Sequence, residues 1–398
     1  MLDKAKFERI GLEIGGSTSS TGDERIDKLK LIAARLWPLF ILVFLIPLLP
    51  HARTGYEVGS KALVYDHRAV NFLNFSARVN VIDSSLEEGR GLAYDFRRFG
   101  LLIADRWEGV VTLPRWDGQW HRPELVLPST GVCPEGHCTP VEHGGLLLDL
   151  DGYLLLSETH LGRLVIRNAM SGAWAGEVGN HVFKNVHDAV VLPSGVIIVG
   201  ESDLEDVDSQ GRRTHGALYT VWEDHAQEIE GTTLTHPVGL AYAPDGRRLY
   251  VTDVASDSKR WLYFRQDAEG GWRPAGVLWT EPVPRNAGRP SLQDMVIGNG
   301  TGMEKASEAV FAAGYDGLYV FHPDGALLAK YVLGEAVRGL AWGPDGLLYL
   351  TIGRRVGELR TKASPVWSDR PQSLWPITAP PSVTGKQPEG TAGDPSRQ

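Results

Sequence analysis

One phrase returns six times in this chain: an apolar strand, a turn built on Asp-Gly or its like, a second apolar strand, then a polar residue. It reads GLAYDFRRFGLLIAD at 91–105, GLLLDLDGYLLLSE at 145–158 and DAVVLPSGVIIVGES at 188–202. It returns as GLAYAPDGRRLYVTD at 239–253 and GLAWGPDGLLYLTIG at 339–353, and a looser copy runs from Asp294 through Phe311 to Gly317. Each copy is a β-hairpin, because the turn residues supply positive φ or a type I geometry between two strand-forming runs. The copies begin at Gly91, Gly145, Asp188, Gly239, Asp294 and Gly339, between 43 and 55 residues apart. That period belongs to a four-stranded propeller blade. Segments such as RLVIRN at 163–168, ALYTVW at 217–222 and GLYVFH at 317–322 supply third strands. The expected fold is therefore all-β, a six-bladed β-propeller spanning about residues 60–370, whose closure leaves only short sheet edges. The 46 glycines suit a fold of many short strands and turns. The stretch between 62 and 82 is expected to complete the last blade.

The ends of the chain read differently. Residues 1–30 are polar and rich in Gly, Ser and Thr, as are residues 379–398 with added Pro, and both are expected to be disordered tails. Between Leu36 and Pro50 there is no charged residue, and the run reaches back to Leu31 if Arg35 snorkels. Residues 31–50 are read as a transmembrane signal anchor. A cleaved signal peptide is the alternative, and a hydrophobic helix buried in the globular domain is a third reading. Arg25, Lys28, Lys30 and Arg35 precede the run, which places residues 1–30 in the cytoplasm and the propeller outside it.

The formal net charge of -9 gives no basic footprint, so nucleic acid is not an expected partner. The two cysteines, Cys133 and Cys138, bracket the loop CPEGHC. A local disulfide is the simpler reading outside the cytoplasm, and a metal site with His137 and His143 is the alternative. No nucleotide-binding glycine loop, nucleophile elbow or zinc-protease helix occurs.

Several blade phrases resemble those of the gluconolactonase, strictosidine-synthase-like and paraoxonase superfamily. HPVGLAYAPDGRRLYVTD at 236–253 is similar to that family's PNG…SPDG…LYV-x-D phrase, and VHDAVVLPSGVIIVGESD at 186–203 to its PNDVVV phrase. VRGLAWGPDGLLYLTI near the end also fits. The resemblance implies a divalent cation, usually calcium, held by oxygen ligands at the channel, with water activated beside it. Carried over by position, the ligands would be Glu88 (or Glu87 one residue earlier), His187, Asp253 and Asp294. His187 stands where the family has asparagine, which shifts the preference toward zinc, manganese or iron, and Val238 replaces another asparagine. By resemblance to the paraoxonases, His143 and His160 would form a proton relay. His143, His187 and His236 also recur at one position, the entry to successive blades.

The function expected from this resemblance is a membrane-anchored, metal-dependent hydrolase of a lactone or ester, with Asp253 or the His143/His160 pair as base. The alternative is a non-catalytic propeller, a binding or scaffold module for a protein partner, with a degenerate metal site. A lyase or isomerase is a third reading.

Overall fold

The computed structural model describes residues 61–74, 77–129, 142–179, 181–203, 215–244, 247–284, 293–300 and 308–366. Six antiparallel sheets form the blades. Their first strands are Gly89–Asp95, His143–Leu148, Val186–Val191, Pro237–Ala243, Met295–Asn299 and Val337–Trp342 in blades 1 to 6. Each first strand touches the first strands of the blades on either side, so the six ring a central channel. The turn chemistry read from the sequence is in place: Gly152, Gly195 and Gly346 adopt positive φ in the first hairpins of blades 2, 3 and 6. The expected third strands also stand where they were read, at Arg163–Asn168, Gly216–Trp222 and Gly317–Phe321.

Blades face blades, so inner strands are covered on both sides and read as continuous apolar runs rather than alternating ones. Gly100–Asp105, Ile197–Ser202 and Leu347–Ile352 are buried at every position. Aromatic rings bridge the seams. Tyr94 of blade 1 stacks on Tyr349 of blade 6 at 5.7 Å, and Phe311 of blade 5 meets Trp342 of blade 6 edge-on at 5.1 Å. The seam between blades 4 and 5 carries a buried ammonium. Buried Lys259 of blade 4 gives its ammonium to Glu281 at 2.9 Å and to the Ala313 carbonyl of blade 5 at 2.9 Å. Burial pushes that ammonium down to about 8.

The segment ahead of blade 1 does not serve a single blade, as the sequence suggested. Asn80–Asp83 is the outermost strand of blade 6, pairing with Arg355–Arg360 in the register Asn80↔Glu358. Lys61–Val64 instead adds a fifth strand to blade 5, against Leu327–Val332. Ser364–Pro365, after the last blade, pairs with the first strand of blade 5. Both ends of the domain are thus woven into blades 5 and 6. No helix among the described residues is long and apolar enough to cross a membrane; the run 31–50 lies outside them, as do the two tails and Cys133 and Cys138.

Candidate active site at the channel mouth

The residues that begin the repeated phrases are the joints of the ring. A Cβ on Gly91 would lie 2.3 Å from the Gly144 carbonyl of the next blade, and one on Gly339 would lie 2.0 Å from the Arg90 carbonyl. Gly239 faces the Gln293 carbonyl at 2.1 Å in the same way. Only glycine allows neighbouring backbones this close. Where the phrase begins with aspartate, the side chain makes the joint. Asp188 accepts the backbone N–H of Leu240 at 2.7 Å, and Asp294 accepts that of Leu340 at 3.1 Å. Ser157 and Thr351 add hydroxyl bonds to the His187 and Arg90 carbonyls. Below these joints the channel holds a cavity of about 120 Å³, lined by apolar residues such as Leu92, Leu147, Leu240 and Leu340 with Asp188 and Asp294 among them. Burial pushes the Asp188 carboxyl up to about 7, against the two N–H bonds it accepts from Leu240 and Ala189.

Asp253 lies one residue before the end of the second strand of blade 4, Arg248–Val254, and is fully buried. One carboxylate oxygen accepts the N–H groups of Thr235 at 2.8 Å and His236 at 2.7 Å, and the other pairs with Arg260 on the adjacent strand. Asp105 does the same in blade 1, accepting from Glu87 and Glu88 at 2.9 and 3.0 Å. Such an aspartate anchors the loop that enters its blade. Both Asp253 oxygens are engaged in these bonds.

Glu88 lies at the mouth, inside a group of guanidinium ions. Arg106 approaches it at 3.1 Å, Arg338 at 3.2 Å and Arg90 at 3.7 Å. Glu142 joins them, held by Arg90 and Arg106, each at 2.9 Å. Burial lowers the Arg338 guanidinium below its ordinary value, Glu88 opposing and Arg90 and Arg106 adding to the fall. The sequence reading missed these arginines, although a signal was there: the tetrapeptide Arg-Gly-Leu-Ala stands at 90–93 and again at 338–341, on adjacent blades.

Imidazoles stand at the entries to blades 2, 3 and 4. His187 and His236 lie ring against ring, with centroids 4.5 Å apart. His143 starts the first strand of blade 2, nearly wholly buried, and neither ring nitrogen has a hydrogen-bond partner among the described residues. Burial pulls it down to about 4, so it is neutral at pH 7; Glu158 opposes that fall and Arg167 adds to it. His160 sits in the short 3-10 turn Thr159–Leu161 after the second strand of the same blade.

The expected ligand set is therefore not assembled. Among the described residues no three of His, Cys, Asp and Glu gather as a metal would need. Glu88 faces arginines, Asp253 is spent on its loop, and Asp294 is spent on the joint to blade 6. These residues, as placed, do not fit a divalent cation.

Comparison with known proteins agrees with the architecture. The family model described as SMP-30/Gluconolactonase/LRE-like region matches residues 135–354, more than half of the chain. A gluconolactonase of Zymomonas mobilis is 21% identical over 332 residues, covering 77% of this chain and 88% of that protein. Among solved structures, a gluconolactonase of Xanthomonas campestris superposes with a TM-score of 0.55 at 17% identity, over 76% of this chain and 95% of the other. The calcium-binding protein regucalcin of Agrobacterium tumefaciens gives 0.51 at 19% identity, over 74% and 97%. With more than half of its length matched and the same ring of blades, the chain belongs to the SMP-30/gluconolactonase/LRE-like family.

Proposed function

We propose that this chain is a hydrolase that opens a lactone or ester at the channel mouth and is tethered to a membrane by residues 31–50. The observation that carries the chemistry is a neutral, buried imidazole next in the chain to a carboxylate gripped by arginines: His143 beside Glu142. Lactone substrates are suggested by family membership and by the gluconolactonase relatives.

In this reading His143 takes a proton from water as the water attacks the acyl carbon. The guanidinium groups that hold Glu88 and Glu142 stabilise the negative charge that develops on the carbonyl oxygen. The ring C–O bond then breaks, and the departing alkoxide recovers the proton from the imidazolium, leaving a hydroxy acid. No step is given to a divalent cation, because the residues that would hold one are engaged elsewhere. The test is turnover of a panel of lactones and aryl esters by the full chain and by a His143→Ala variant. The variant should lose on the order of 10²–10⁴ in kcat/KM while keeping its fold.

A non-catalytic binding module is the second reading, favoured by the complete engagement of Asp253 and by Val238 at a ring position. Absence of turnover across the whole panel would select it.

A further inference from the structure

At the ring position just before each repeated phrase, blades 6 and 1 carry Arg338 and Arg90 side by side. Arg106, following the second strand of blade 1, completes a triangle of guanidinium groups around Glu88. We propose that this side of the mouth is a carboxylate-type anion site, so that the lactone or ester this chain takes carries a negative charge of its own. The inference rests on the hydrolase reading for the reaction, but not for the binding.

Three guanidinium groups stand against two carboxylates, Glu88 and Glu142, leaving one net positive charge. Each guanidinium brings five N–H donors, roughly fifteen together, whereas two carboxylates offer about eight acceptor sites. The donors of Arg106 and Arg338 that face the mouth are free to turn to an incoming anion, and a planar fork of N–H groups matches a carboxylate on two points at once. The two glutamates hold the arginines in place, so little ordering remains to be done when an anion arrives. Accessibility is graded. The Arg90 side chain is 6% exposed, while Arg338 is 21% and Arg106 30% exposed, so the latter two open onto the mouth. A cation approaching Glu88 would meet the same three positive charges first.

Calorimetry on the full chain in detergent, at fixed ionic strength, with succinate and calcium chloride as probes tests the site. Succinate should bind and calcium should not. Arg338→Gln should weaken succinate about tenfold or more, and Arg338→Lys, which keeps the charge but loses the fork, should fall between. Failure of succinate to bind, unchanged affinity in folded Arg338→Gln, or one equivalent of calcium lost in Glu88→Gln would overturn the proposal. Turnover is read separately on a γ-lactone bearing a ring carboxylate and on its methyl ester. Preference for the carboxylate form, lost in Arg338→Gln, supports the inference. Equal turnover of both forms sinks it while leaving the hydrolase intact. Succinate binding through Arg338 with no turnover of either form keeps the anion site and removes the hydrolase.

Discussion

His143 ties the candidate chemistry to a measurable cost in stability. Its imidazole titrates near 6.5 in the unfolded chain and at about 4 when folded. Because the folded value is depressed, its contribution to stability is complete above about 6.5 and is lost as pH falls toward about 4. The loss is on the order of 3 kcal/mol for a shift of this size. Asp188 acts in the opposite sense: its folded value is raised to about 7, so its contribution falls as pH rises from about 4 to about 7. A His143→Leu variant should remove the first effect and leave the second. Thermal melts from pH 4 to 7 should show the variant gaining on the native protein as pH falls, and parallel profiles would refute the assignment. The sequence placed His143, His187 and Asp294 correctly around the ring, since position within the blade phrase is a matter of counting. It did not disclose what each touches. Arg260 reaches Asp253 from the next strand, and Arg338 reaches Glu88 across 250 residues, so the partners that redefine both carboxylates lie where no local pattern points.

At the scale of strands, the joints between blades decide how the ring holds. A Cβ at Gly339 would meet backbone, the Arg90 carbonyl, rather than a side chain able to swing away. Gly339→Ala should therefore push blade 6 from blade 1 and cost about 1–3 kcal/mol, visible as a lowered urea midpoint with an unchanged slope. A midpoint within error of the native protein would mean that the seam yields freely. The blades themselves were legible because a buried hairpin carries two apolar runs and a turn, a strong signal repeated six times. The strands ahead of blade 1 were not. Lys61–Val64 and Asn80–Asp83 are four residues each, and which blade each completes depends on which outer edge stands open. That is a property of the closed ring, not of either segment.

At the scale of the whole molecule, the proposed tether is testable without reference to catalysis. The full chain should stay with the membrane fraction through alkaline carbonate washing, and a variant lacking residues 36–50 should appear in the supernatant with its melting transition retained. A full chain released by carbonate would remove the anchor. The weave of both domain ends into blades 5 and 6 sets a timetable as well as a shape. Asn80 meets Glu358 only after 278 more residues have been made, and at about 5–20 residues per second that interval is roughly 14 to 56 seconds. Until then blades 1 to 5 stand as an open arc, and the early strand Asn80–Asp83 has no partner to pair with. A chain cut short before Arg355 does not become a smaller ring; it remains an arc with unpaired edges, open to proteases and to the edges of its neighbours.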